Sequence, residues 1–236
     1  MIAAKPHLSP RPLPRLPARL PEGKQMTFIV GIKCPDGLVM CADSQESDGI
    51  TKRNVVKLTR FVAHDESWSL AFGCSGSSAA IKNFTSKLED ALDLDSRYER
   101  AKVECAIEAG LSYMHLTYPS EELALLCSLW SVKPSDQRLY RSYPKSFCLS
   151  PEDEYACVGL DTSLAIMMMD AIIGDVRGVD DAIRLAVLTT SLMKDKCDGV
   201  GGPIRVLSHK RGDGAWTQHN DADIEALEKT LPLGAC

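Results

Sequence analysis

Residues 23–45, GKQMTFIVGIKCPDGLVMCADSQ, place Thr27 directly after a second methionine, Met26, and at the head of an alternating apolar run. A start at Met26, or a cut behind it, makes Thr27 the N-terminal residue. That is a chemical event: a hydroxyl then sits beside a free α-amine, whose pKa of about 7.7–8.0 lets it take a proton near neutral pH. Other reactive-looking stretches offer less. FGCSGSS (72–78) invites a serine-hydrolase reading but lacks the Gly-x-Ser-x-Gly spacing. GVGGP (199–203) has no following Lys-Ser/Thr to make it a phosphate loop, and reads as a tight turn into a strand. The nine cysteines are dispersed without a Cys-x-x-Cys pair, and the five histidines contain no His-Glu-x-x-His, so no disulfide framework, metal or cofactor is expected. Asn83-Phe84-Thr85 falls in a predicted helix and is read as a chance glycosylation triplet.

These residues must be carried by a body that begins near Thr27. Residues 1–26 hold six of the thirteen prolines and five Lys/Arg against one acid, Glu22. With so few amide donors this stretch can form neither helix nor ladder, and its prolines interrupt the apolar run that a secretory signal needs. It is expected to be a removable propeptide, or upstream sequence ahead of a true start at Met26. Residues 27–236 are expected to form one domain, since a chain of this length buries a full core. No apolar run reaches the roughly 18 residues of a membrane span, so a soluble protein is expected. The body carries 22 basic and 31 acidic side chains, a balance that repels nucleic acid.

Period-two patterning in TFIVGIK and LVMCAD, flanking the Cys34-Pro35-Asp36-Gly37 turn, predicts a β-hairpin. VVKLTRFV (55–62) and SWSLAFG (67–73) read as two further strands, and the period then becomes helical through 77–92 and 97–116. Strands are expected at 123–132, near 138–141, near 145–149 and at 154–159. Helices follow at about 162–173 and 180–194, then a closing hairpin over 203–220 and a short helix from Asp221. Strands, two helices, strands, two helices, strands: this order predicts an α+β fold, a four-layer αββα sandwich with two antiparallel sheets between helix layers.

At this point the motifs become specific. TFIVGIKCPDGLVMCADSQ, followed by a Gly and by NVVKL, resembles the N-terminal half of a proteasome β-type or HslV-like subunit of the N-terminal-nucleophile (Ntn) hydrolases. DDAIRLAV and KDKCDGVGGPIRV resemble that family's fourth helix and the Asp-x-x-Ser-Gly-Gly turn behind it. The resemblance spans nearly all of 27–236 and implies a threonine-type endopeptidase. In it Thr27 is the nucleophile and its own amine the base, an acyl-enzyme forms on Thr27, and water clears it. The resemblance further implies that Asp43, sixteen residues on, pairs with Lys57. A charged lysine near the threonine disfavours protonation of the amine and polarises Oγ. Lys57 rather than Lys52 is inferred from NVVKL, because the loop 44–56 is about two residues shorter than is usual in the family.

The oxyanion donor is expected to be a backbone N–H at Gly73, Cys74 or Gly76. Asp195 matches the acidic residue near the amine, while Asp198 stands where the family has a serine. Leu160, followed by Asp161, Thr162 and Ser163, stands in place of a second serine. Glu46 corresponds to a position lining the pocket for the side chain before the cut bond, where a carboxylate would favour a basic residue. The resemblance also implies a homo-oligomeric ring in the cytoplasm, a peptide or unfolded-protein substrate, and an ATP-dependent unfoldase as a further partner. Two alternatives stay open: a scaffold subunit whose site has decayed, and a small-molecule amidase with the same nucleophile.

Overall fold

The computed structural model describes residues 27–47, 51–95, 97–132, 136–160, 162–213 and 215–231. The expected arm over 1–26, and Asp161, lie outside these residues. The first hairpin is β1 (Phe28–Cys34) and β2 (Gly37–Ala42), with Ile29 opposite Ala42 and Cys34 opposite Gly37. β10 (Tyr155–Gly159) lies on the other edge of β1, and β11 (Arg205–Lys210) on that of β2, followed by β12 (Thr217–Gln218). The second sheet runs β5 (Leu58–Val62), β6 (Trp68–Ser75), β7 (Ala124–Ser131), β8 (Arg138–Ser142) and β9 (Ser150–Glu152) in sequence order. Every pairing in both sheets is antiparallel.

Three apolar cores separate four layers. On β1, Phe28, Val30 and Ile32 point outward to Ala165 and Met169 of α3 (Thr162–Ile172) and to Ala182, Ala186 and Met193 of α4 (Val179–Lys196). Ile29, Leu38, Met40 and Ala42 point inward and meet Ala71, Leu126 and Leu139 of the other sheet. Trp68, Leu70, Phe72 and Cys74 face Phe84 and Leu88 of α1 (Ser78–Ala91) and Ile107 and Leu111 of α2 (Arg100–Thr117). The chain therefore folds as the expected αββα sandwich. Because both faces of the central strands are covered, β1, β2, β6 and β7 are buried almost throughout. α5 (Asp221–Thr230), capped by Asn220, closes the outer layer through Ile224.

Three local expectations are corrected. The strand expected near 145–149 is a turn in which Ser146 N–H donates to the Tyr143 carbonyl (2.9 Å) and Lys145 takes φ 65°, and the strand forms at Ser150 instead. β5 starts at Leu58 rather than Val55, because Val55 N–H donates to the Ser44 carbonyl (2.8 Å). The segment expected as a loop over 44–56 contains an antiparallel pair, β3 (Gln45–Ser47) with β4 (Lys52–Asn54), in which Glu46 pairs with Arg53.

Candidate active site

The end of β2 delivers Asp43 to a point where three separate chain segments converge. Its carboxylate is fully buried and bonded on both oxygens. Oδ1 accepts from Phe28 N–H (2.9 Å) and Lys57 Nζ (2.8 Å); Oδ2 accepts from Gln45 N–H (3.2 Å) and Gly201 N–H (3.1 Å). A buried carboxylate with that many donors is fixed in direction. The Lys57 side chain is 6% exposed. Burial pushes its pKa below the ordinary lysine value, while the charge and hydrogen bond of Asp43, and the charge of Glu46, work against that fall. Lys57 is thus a positive charge kept out of water and set in place by one carboxylate.

The clamp on Asp43 is closed from the far end of the chain. Ser44 N–H (3.1 Å) and Gln45 N–H (2.8 Å) both donate to the Gly201 carbonyl, so Gly201 binds this segment through its N–H and its C=O. Gly202 beside it has φ 71°, and a Cβ there would lie 2.5 Å from Asn54 Oδ1 and 2.6 Å from Ser44 Oγ. Only glycine supplies both that conformation and that clearance.

Thr27 stands at the entrance to β1 and is 4% exposed. Its carbonyl accepts from Leu160 N–H (3.0 Å), and a Cβ at Gly159 would lie 1.8 Å from that same oxygen. Thr27 and Lys57 line one cleft of about 420 Å³, together with Glu46, Arg53, Val56, Cys74, Ile81 and Lys82 among others. Burial raises the Cys74 thiol well above its usual range, so the thiol in this cleft stays protonated and is a poor nucleophile. Gly73 pairs with Leu58, the first residue of β5, so beyond Gly73 the edge of β6 has no partner strand on that side among the described residues. A Cβ at Gly73 would lie 3.0 Å from the Lys57 carbonyl, and one at Gly76 (φ 153°) 2.8 Å from that of Glu122.

The remaining expected residues are placed differently. Asp195, on the last turn of α4, is 58% exposed and its carboxylate pairs with Lys196 Nζ (2.8 Å). Asp198 is exposed, and it is its backbone carbonyl that meets Gln45 Nε2 (3.4 Å). Glu46 does reach the cleft, but Arg53 Nε (2.5 Å) holds one of its oxygens and the Ser78 hydroxyl the other. Gly201 was not singled out from the sequence, because a backbone donor has no residue-type signature; the Gly-Gly pair after α4 was its one trace.

An αββα sandwich whose first strand is preceded by a threonine sharing a cleft with the lysine of a buried Asp–Lys pair has the architecture of the Ntn hydrolases. The Proteasome subunit family model matches residues 24–208, and the chain belongs to that family. The proteasome subunit beta of Nanoarchaeum equitans (strain Kin4-M) is 28% identical over 191 residues, which cover 78% of this chain and 94% of that one. Among solved structures, the fold is shared with Anbu (ancestral beta-subunit) from Yersinia bercovieri, at a TM-score of 0.74 and 15% identity over 86% of this chain and 92% of the other. It is shared too with the helical assembly of the Anbu complex from Pseudomonas aeruginosa, at a TM-score of 0.70 and 16% identity over 86% and 91%.

Proposed function

We propose that the chain is a threonine peptidase whose nucleophile is Thr27, freed as the N-terminal residue by loss of residues 1–26. The observation that carries this reading is the shared cleft: Thr27 lines it together with Lys57, and the Lys57 ammonium is fixed by the buried Asp43. The Thr27 amine takes the proton from Oγ, which attacks the substrate carbonyl. The amine returns a proton to the departing amine of the substrate, and water then hydrolyses the ester on Thr27. Lys57 lowers the proton affinity of the neighbouring amine and stabilises negative charge developing at Oγ. Backbone N–H groups from Gly73, the last residue of β6 paired with β5, to Gly76 just past the strand are the candidate oxyanion donors. Asp195 and Asp198 are given no step, since the carboxylate of Asp195 is turned to Lys196 and Asp198 engages through its carbonyl.

Assembly belongs to the same reading. Leu116 and Met167 are large apolar side chains 72–79% exposed, surfaces suited to burial against further copies. The Anbu complex from Pseudomonas aeruginosa was solved as a helical assembly. For this chain we propose a closed or helical homo-oligomer acting on peptides or unfolded protein, in the cytoplasm. No helix among the described residues is long and apolar enough to cross a membrane. The second reading, a catalytically silent scaffold, draws on Leu160, which meets the Thr27 carbonyl but brings no hydroxyl to the amine. Labelling with a peptide electrophile separates the two: adduct formation at Thr27 supports the peptidase, and a processed chain that forms none supports the scaffold.

A further inference from the structure

The charges lining the cleft reverse the substrate preference that Glu46 suggests in the sequence. Glu46 is 8% exposed, and both of its carboxylate oxygens are engaged within the chain, by Arg53 across the β3–β4 pair and by Ser78 at the start of α1. A basic substrate side chain would have to displace Arg53 to reach it. Asp43, the other carboxylate near the cleft, is fully buried and already bonded to Lys57 and three backbone N–H groups. Among the described residues, both acids at the cleft are therefore committed to partners in the protein.

The cations are not balanced in the same way. Lys82 lies one turn along α1 from Ser78, lines the cleft and is exposed, and it forms no ion pair among the described residues. Among the described residues, with Glu46 matched by Arg53 and Asp43 by Lys57, Lys82 leaves the wall one positive charge in excess. The N-terminal end of α1, from which Ser78, Ile81 and Lys82 line the cleft, adds the positive end of a 14-residue helix to the same wall. Val55, Val56 and Ile81 supply an apolar floor for the stem of a side chain.

We infer that the cleft selects an acidic substrate side chain, Glu or Asp, next to the cut bond, with Lys82 as its charge partner and Arg53 acting as a cap that keeps Glu46 from attracting basic residues. This rests on the reading of Thr27 as the nucleophile. An exposed charge pair contributes about 0.2–1 kcal/mol, so the preference is moderate: about 1.4-fold to fivefold between Glu and a neutral residue of equal length. The discrimination against Arg and Lys is larger, because the excess charge repels them.

The test measures kcat/KM of the processed oligomer for three peptides differing only in Glu, Gln or Arg before the cut bond, in wild type, Lys82→Glu and Arg53→Ala. The inference predicts Glu over Gln over Arg in wild type. It predicts a Glu-to-Arg ratio at least tenfold lower in Lys82→Glu, and a rise of Arg relative to Gln in Arg53→Ala as Glu46 is released. Equal use of the three peptides in wild type, or a Glu-to-Arg ratio unmoved by Lys82→Glu, overturns the inference while leaving the nucleophile intact. If no peptide is cut and an electrophile does not label Thr27, the peptidase reading itself fails and takes this one with it.

Discussion

Gly201 and Asp43, separated by 158 positions, are joined by a 3.1 Å hydrogen bond from the glycine N–H to the aspartate Oδ2. The turn after α4 thus orients the carboxylate that in turn holds Lys57. Two glycines next to the site keep backbone segments at contact distance: Gly202 against Ser44 and Asn54, and Gly159 against the Thr27 carbonyl.

Gly202→Ala should displace the 44–45 segment, since φ 71° and a 2.6 Å approach to Ser44 Oγ leave no room for a methyl group. We expect a destabilisation of about 1–3 kcal/mol in equilibrium unfolding, accompanied by a drop in kcat larger than any change in KM. Wild-type stability and kcat in this variant would mean that the clamp does not position Asp43.

Gly159→Ala should move Thr27 itself, because the added Cβ would start 1.8 Å from the Thr27 carbonyl. The expected result is a loss of about a hundredfold or more in labelling rate by a peptide electrophile, as for a misplaced reacting group. Labelling at the wild-type rate would show that the backbone yields without moving the hydroxyl.

Asp43→Asn and Lys57→Met should each lower kcat by about two to four orders of magnitude, and the double variant should be little worse than either. Stability divides them. Asp43→Asn leaves a buried ammonium without its counter-charge and should cost about 3–5 kcal/mol, whereas Lys57→Met leaves a carboxylate that keeps its three backbone donors. Additive losses of activity, or a harmless Asp43→Asn, would break the pair as a unit.

The pH dependence follows from burial of Lys57. Its folded pKa lies below the ordinary lysine value, so activity that needs the ammonium is lost as pH rises through that lowered pKa, at less alkaline pH than a solvated lysine would give. For stability the sign is opposite: the unfolded chain binds the proton more tightly. The Lys57 contribution is therefore fully present above the unfolded pKa near 10.5 and is lost as pH falls through the folded one. Unfolding free energies of wild type and Lys57→Met, compared across this range, should converge or cross in that direction. A wild-type advantage that grows as pH falls would contradict the assignment.

What could be read from the sequence divides along physical lines. The sandwich was legible because Phe28, Val30 and Ile32 alternate against Ile29 and Gly31, and because 77–92 and 97–116 switch to a helical period, signals set by burial over many residues. The β3–β4 pair was not, since strands as short as QES and KRN carry polar side chains with no apolar alternation. Asp43 and Lys57 were found through their motifs. The committed state of Glu46 was hidden because it depends on cross-strand register with Arg53 and on where α1 begins, neither of which the sequence displays.

The central claim is that Thr27, at a free N-terminus, is the nucleophile, and it is tested most directly by the mass of the purified active protein before and after reaction with a peptide electrophile. The account predicts a chain beginning at Thr27 and a single adduct mapped by peptide sequencing to that residue, absent in Thr27→Ala. A chain that still begins at Met1 while hydrolysing peptides, or an adduct mapped to any other residue, would contradict it.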